Sequence, residues 1–374
     1  MKYNKNIEVT YMKKILSLSL IPLLASCAAP NNVEKLSSQI DIKYKKTEGY
    51  THQFANTYKR PESYPHTCEQ DCYPKTKDIQ CETDMEQCRF VGQNPLVDLP
   101  GSNDFSVRWI GHASFVITTP TNETILIDPV TEQFDWPIDW AFANLGGGFY
   151  RDTPAHITDD ELAATQAVVY SHIHYDHFNK ADIETIGTNT KYLTPLNFAN
   201  YFPDGGYDIV EMPWYSDYSV GDTKVHFVPA HHFSNRIVVP FITNDDDETL
   251  WGGWLLENGG KKVFFAGDTG YSNHFKDIHK AYGDIDVCLI PIASYHHEEY
   301  GNWYRNVHLT PEDALTAAKD MNCGVIIPWG YGNASWKMGD HTSHSALFRL
   351  LHMQKQLNSQ IPLYILNEGE KVIL

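Results

Sequence analysis

The stretch Ser171-His172-Ile173-His174-Tyr175-Asp176-His177 constrains this chain more than any other. It reads H-x-H-x-D-H and follows directly on the apolar run Ala167-Val168-Val169-Tyr170, whose pattern is that of a short buried strand. Alternating residues on an extended strand end share a face, so His172 and His174 can point at one metal together. Asp176 and His177, just beyond on the turn, are placed to reach a second. Imidazole and carboxylate suit zinc, manganese or iron, and a catalytic zinc needs open positions beside its protein ligands. A single H-x-H reads as a histidine-rich surface loop; four donors at this spacing read as a metal site.

The chain has 374 residues, enough for one large core or two modest domains. Its formal net charge of -18 argues against a nucleic-acid partner, because a phosphate backbone needs a basic surface. The N-terminus carries Met12-Lys13-Lys14, an apolar run from Ile15 to Leu24, and then Leu24-Ala25-Ser26-Cys27. That order is a secretory signal, and its apolar run is too short to span a membrane. Leu-Ala-Ser-Cys looks like a bacterial lipobox, which implies cleavage before Cys27 and lipid attachment to its thiol. The expected product is an exported lipoprotein of the cell envelope, held at a membrane by that anchor. An ordinary signal peptide with an incidental cysteine is the alternative. Cys68, Cys72, Cys81 and Cys88 cluster within a proline-containing stretch. Outside the cytosol they read as two disulfides in any of three connectivities, with a four-thiolate zinc site as the alternative. Cys288 and Cys323 lie in apolar runs and are expected as buried free thiols. The layout is a signal over 1–26, a tether over 27–60, a Cys-rich stapled lead-in over 61–100, and a main domain over 101–374.

Strands alternating with helical segments predict an α/β fold. Ser106 to Thr118 reads as a strand carrying His112, a histidine expected to be hydrogen-bonded and structural. Glu123 to Asp128 is a second strand. Residues 131–157, with Trp136, Trp140 and Gly146-Gly147-Gly148, form a long connection of the kind that covers a site. Thr158-Asp159-Asp160-Glu161 is a capping box, and a helix near 178–186 follows the metal motif. Further strands are expected at 191–193, 224–229, 250–257, 262–266, 286–292 and 324–327. Thr310-Pro311-Glu312-Asp313 starts a helix with its N-cap, first-turn proline and acids in place. An amphipathic helix over about 343–356 and a strand near 362–366 close the chain. The candidate donors stand at the carboxyl ends of strands, the usual way a sheet scaffold carries chemistry on its loops.

The ordered motifs Trp109-Ile110-Gly111-His112-Ala113, Asp128-Pro129, H-x-H-x-D-H, Pro229-Ala230-His231-His232, Leu250-Trp251-Gly252-Gly253-Trp254, Ala266-Gly267-Asp268-Thr269-Gly270-Tyr271 and His308-x-x-Pro311-Glu312 resemble the metallo-β-lactamase superfamily. The likeness covers about residues 100–335, and is greatest to the branch of N-acyl-phosphatidylethanolamine-hydrolysing phospholipase D. It implies a four-layer αβ/βα sandwich with two zinc ions on one edge. His172, His174 and His232 are the implied ligands of the first, Asp176 and His177 of the second, with Asp268 bridging. Asp176 would also orient the nucleophile, His308 would serve the leaving group, Tyr271 would touch substrate, and Asp128 would fix a ligand imidazole. The family's last ligand is a histidine where this chain has Pro328, so the second zinc lacks one expected donor. His341, His344, His296 and His297 are the candidate replacements; the other outcomes are a weak second site, a single metal, or a degenerate binder. The implied activity is hydrolysis of a phosphodiester in a membrane lipid. A lactonase or other ester hydrolase, and a non-catalytic lipoprotein, are the alternatives.

Overall fold

In the computed structural model the described residues are 54–82, 87–95, 104–132, 135, 154–236, 238–239, 243–296, 301–335 and 342–374. Two mixed sheets form the frame. The first has seven strands in the order β17 (Lys371–Ile373), β3 (Ser106–Gly111), β4 (Ser114–Thr118), β5 (Thr124–Ile127), β6 (Thr165–Val169), β7 (Lys191–Pro195) and β8 (Asp208–Met212). The second has six, in the order β16 (Cys323–Trp329), β15 (Ile285–Pro291), β14 (Lys261–Phe265), β13 (Gly253–Asn258), β10 (Thr223–Val228) and β9 (Ser216–Val220). Strands β5 to β8 run parallel, as do β14 to β16, and the other neighbours are antiparallel. Two small hairpins, β1 (Ile79–Cys81) with β2 (Cys88–Phe90) and β11 (Val238–Val239) with β12 (Thr243–Asn244), lie outside these sheets.

Period-two alternation explains the layers. Val107, Phe115, Ile125, Ile127, Ala167 and Val169 share one core with Phe227, Trp254 and Phe265 of the other sheet. Their neighbours in sequence, Val116, Leu126 and Val168, point to the opposite face and bury against Ile183 and Leu162. Those last two belong to α2 (Lys180–Ile186) and α1 (Asp159–Ala164). The rings of Phe115 and Phe265 meet across the sheets at 5.9 Å, edge to face. Truncating either ring to alanine costs about 3–5 kcal/mol. On the far side α3 (His274–Tyr282), α4 (Pro311–Asp320) and α5 (Ser345–Gln356) bury Phe275, Leu315 and Leu347. The result is the expected αβ/βα sandwich. Thr158 and Glu161 close the capping box reciprocally, and Thr310 accepts from Asp313 N ahead of Pro311.

Several expectations are corrected. Residues 106–118 are not one strand: Gly111 (φ 146°) and His112 (φ 49°) fold them into the β3–β4 hairpin. Residues 362–366 make only one isolated bridge, Ile326 with Leu363, and the closing strand is β17. Strands β8 and β9 went unread because they are half-exposed and polar. Cys288 and Cys323 are not free thiols but a disulfide with Cα atoms 6.0 Å apart. They lie 35 residues apart on the adjoining strands β15 and β16, and that adjacency cannot be read from two separate apolar runs. The four clustered cysteines pair as Cys68–Cys72 and Cys81–Cys88. The stapled lead-in docks on the main domain: Cys68 N donates to Glu312 Oε1 at 3.0 Å, and Arg305 lies over the Tyr64 ring at 3.9 Å. Phe54, Ala55 and Asn56, placed in the tether by sequence, are buried. The signal segment with Cys27 and most of the 131–157 connection lie outside the described residues.

A buried carboxylate ties the two sheets together away from the motif. Glu123 accepts from Thr119, Thr121 and Thr223 hydroxyls and from Asp222 N, linking the β4–β5 and β9–β10 turns. Burial works against its charge, but these donors override it and hold its pKa at about 2. Stability from this group is therefore present above the unfolded carboxyl value of about 4.3 and is lost as pH falls toward about 2. Glu123→Gln is expected to cost about 1–3 kcal/mol at neutral pH. In urea unfolding the gap to wild type should narrow below about pH 4.

Candidate metal centre

The donors gather where the two sheets meet at one edge. Strand β6 ends into Ser171 and the H-x-H-x-D-H turn, β10 ends into His231-His232, and β14 ends into Gly267-Asp268. The start of β13 bolts these ends together: Gly252 N donates to Ser171 O at 3.1 Å, and Trp254 Nε1 to Tyr170 O at 3.1 Å. The turn before Asp268 requires glycine. Gly267 has φ +61°, and a Cβ there would stand 2.4 Å from Gly252 O.

Two adjoining groups result. His172 Nε2 and His232 Nε2 lie 2.8 and 3.2 Å from His174 Nδ1, and Asp268 completes a set whose donor atoms lie within 4.8 Å of one another. Asp176 and His177 form a second set with His112, within the same limit. Asp268 Oδ2 stands between them, 4.0 Å from His172 Nε2, 3.8 Å from His232 Nε2 and 3.3 Å from His177 Nε2. His308 Nε2 approaches the same oxygen at 3.2 Å.

Outer partners set which nitrogen faces inward. Val307 O and Ser294 O can only accept, so they take the Nδ1 protons of His232 (3.0 Å) and His308 (2.7 Å). Asp128 Oδ2 takes that of His177 at 2.8 Å. Ser171 Oγ donates to Asp128 Oδ2, which leaves its lone pairs to receive His172 Nδ1 at 2.9 Å. Each of these imidazoles thus turns its Nε2 toward the carboxylates. His177 Nε2 is buried and has no hydrogen-bond partner among the described residues. Imidazole nitrogens converging on two carboxylates are a ligand set for a divalent transition metal once the His177 proton is displaced.

The electrostatics agree. Burial, reinforced by the neighbouring imidazoles, pushes His172 and His232 well below the ordinary imidazole range. Burial also brings His174 down to about 4. All three are neutral at pH 7, the form that binds metal. Burial disfavours charge on His177 too, yet the Asp268 and Asp176 carboxylates overcome it and raise its pKa well above the usual value. Burial opposes charge on Asp176 and Asp268 as well, and His177 more than offsets it, so both carboxyls are held below their normal range.

Residues remote in sequence hold these loops. Asn56 donates to His232 O at 2.8 Å and accepts from His232 N at 3.1 Å. Arg236 Nη1 bonds Ile173 O and Phe178 O at 2.8 and 2.9 Å, and its guanidinium lies over the Tyr175 ring at 4.0 Å. Nothing local marks either one. Of the predicted site residues, His172, His174, Asp176, His177, His232, Asp268 and His308 come together. Tyr271 does not: its hydroxyl is bonded to Asp320 Oδ2 at 2.5 Å and its ring stacks on Phe275. The cause is the preceding turn, where Gly270 passes so close under Asn306 O that a Cβ would lie 2.0 Å away. Among the replacements for Pro328, His344 is buried beside Tyr331, and His344 and His296 belong to neither group. His297 and His341 lie outside the described residues.

Asp128→Asn leaves one acceptor oxygen for the three donors Ser171 N, Ser171 Oγ and His177 Nδ1 and is expected to weaken metal binding at the Asp176–His177 group about 10–100-fold, measured by chelator competition. Binding there must also displace the raised His177 proton. Affinity should therefore rise with pH through the neutral range, with proton release on metal addition in weakly buffered solution.

A family model described as β-lactamase superfamily domain matches residues 123–331. The chain is 26% identical over 251 residues to N-acyl-phosphatidylethanolamine-hydrolyzing phospholipase D 1 of Caenorhabditis elegans, covering 62% of this chain and 66% of that protein. It is 26% identical over 278 residues to a UPF0173 metal-dependent hydrolase of Rubrobacter xylanophilus, covering 71% and 95%. This chain spans 66% of the length of the nematode enzyme, and the same share of the mycobacterial proteins it matches. The crystal structure of a possible metal-dependent hydrolase from Veillonella parvula shares the fold, with a TM-score of 0.53 at 16% identity, over 73% of this chain and 100% of that one. The match over residues 123–331 and the two-sheet frame agree: the chain belongs to the β-lactamase superfamily and carries the metallo-β-lactamase fold.

Proposed function

We propose that this protein is a metal-dependent hydrolase, a zinc phosphodiesterase of phospholipase D type acting on a membrane lipid such as an N-acyl-phosphatidylethanolamine. The observation that carries the reading is Asp268 Oδ2 standing between two groups of buried donors, since two divalent ions about 3.5–4 Å apart need a shared anion. His172, His174 and His232 with Asp268 would hold one ion, and Asp176 and His177 with Asp268 the other. Such ions supply Lewis acidity and water activation at neutral pH. The choice of a lipid phosphodiester is supported by the activity named for the nematode relative.

In that reaction a water oxygen adds to phosphorus, the bond to the alcohol breaks, and the alcohol leaves with a proton. His308, carrying a proton on Nε2 as well as on Nδ1, is the residue placed to provide it, and the proton given up by the attacking water balances the transfer. Ser294 O fixes its Nδ1 proton, its ring lies parallel to Tyr304 with centroids 6.0 Å apart, and Nε2 faces Asp268 with its side chain 13% exposed, enough to meet substrate. Asp176 orients the nucleophile from within the second donor group. Export and lipid attachment at Cys27 belong to the same proposal. The three disulfides support an oxidising compartment, and a membrane anchor suits a lipid substrate. Among the described residues no helix is long and apolar enough to cross a membrane.

The test is hydrolysis of bis(p-nitrophenyl) phosphate and of N-acyl-phosphatidylethanolamine in mixed micelles by zinc-loaded protein. Turnover of both, abolished by chelator and restored by zinc, is expected. His308→Gln should lower kcat about 10²–10⁴-fold with metal content unchanged. Release of no phosphatidic acid, with the model diester still cleaved, would remove the lipid and leave the hydrolase.

A further inference from the structure

The second donor group contains a histidine that the mechanism above does not use. His112 is 4% exposed and sits at the tip of the β3–β4 hairpin with φ 49°, a left-handed backbone conformation uncommon for residues other than glycine. Such strain persists where surrounding structure enforces it, often at functional sites. Here Trp109 Nε1 enforces it by donating to His112 O at 3.0 Å. The turn sends the imidazole into the metal centre. Its Nε2 lies 2.8 Å from Asp176 Oδ2, which is itself 3.8 Å from His177 Nε2. Donor atoms that share one zinc at about 2.0–2.2 Å stand about 3–3.5 Å from each other, a spacing these two distances bracket.

The other nitrogen is provided for as well. Ser335 Oγ gives its proton to Tyr331 O at 2.7 Å, so its lone pairs face His112 Nδ1 at 3.4 Å. That is the arrangement by which Ser171 turns His172 Nε2 inward. Near the end of β16 stands Pro328, which offers no donor. The Trp329 ring that follows touches both imidazoles edge-on, with centroids 6.4 Å from His112 and 6.3 Å from His177. His112 thus lies beside His177 on the side where β16 supplies nothing.

We propose that His112 is a ligand of the second metal ion, so that His112 and His177 with Asp176 and Asp268 make a two-imidazole, two-carboxylate site for a divalent transition cation. The assignment rests on the two-metal reading above. Its rival is a positioning role in which Nε2–H only donates to Asp176, and Gln at this position separates the two because it donates a hydrogen bond but is a poor zinc ligand.

The full chain, stripped of metal and titrated with Co(II), is compared with H112A and H112Q by metal per chain and by visible absorption. Thermal unfolding of the metal-free proteins checks the fold. Wild type should take two ions. Both variants should keep the first and bind the second more than about 100-fold more weakly, beyond the roughly 10–100-fold loss of an orienting residue. Two ions in wild type and two in H112Q would overturn the ligand assignment and leave the two-metal reading intact. A single ion or none in folded wild type would overturn the two-metal reading itself, and this assignment with it. Should H112A fail to fold, H112Q decides.

Discussion

The buried carboxylate of Asp128 is the interaction on which the metal centre depends. It sits at the end of β5 with φ 40° and no solvent exposure, accepting from Ser171 N at 2.7 Å, from Ser171 Oγ and from His177 Nδ1. Burial raises its pKa while those donors oppose the shift. An unpaired charge at such depth would cost several kcal/mol. The three hydrogen bonds that offset this cost also fix where the H-x-H-x-D-H turn starts and how two of its imidazoles are oriented. One residue thereby couples the register of β5 and β6 to the tautomers of His172 and His177.

The same logic recurs outward. Four of the rings that face the centre are held by an oxygen behind them: Asp128 for His177, Ser171 for His172, Val307 O for His232, Ser294 O for His308. The sheets contribute by bringing the ends of β6, β10 and β14 to one edge, with the Trp254 indole and Gly252 amide tying that edge across layers. Arg236 and Asn56 then clamp the backbone of the two histidine loops. Neutral imidazoles and negative carboxylates at a buried site leave a concentrated demand for positive charge, which His177 meets by holding a proton.

What could be read from sequence is what is local. The H-x-H-x-D-H spacing, the apolar strand before it and both helix caps are short-range patterns, and the structure places the strand and the caps where the sequence puts them. Of the adjacent pair His231-His232, it is His232 that faces the donors, while Asn306 O takes the His231 Nδ1 proton and His231 lies in neither donor group. What could not be read depends on chain neighbours far apart. The Cys288–Cys323 disulfide needs β15 beside β16, the grip on His232 comes from Asn56 176 residues away, and Tyr271 was diverted by a close pass under Asn306. The hairpin at His112 is hidden for another reason: apolar alternation continues through the turn, and a single glycine inside a strand pattern reads as a bulge as readily as a reversal of the chain.

The central claim is that one edge of the sandwich holds two metal ions sharing Asp268. Anomalous diffraction at the zinc edge from crystals of the zinc-loaded full chain tests it most directly. Two peaks are predicted, one among His172, His174 and His232 and one beside Asp176 and His177, with Asp268 between them. A single peak, or density away from Asp268, would contradict the account.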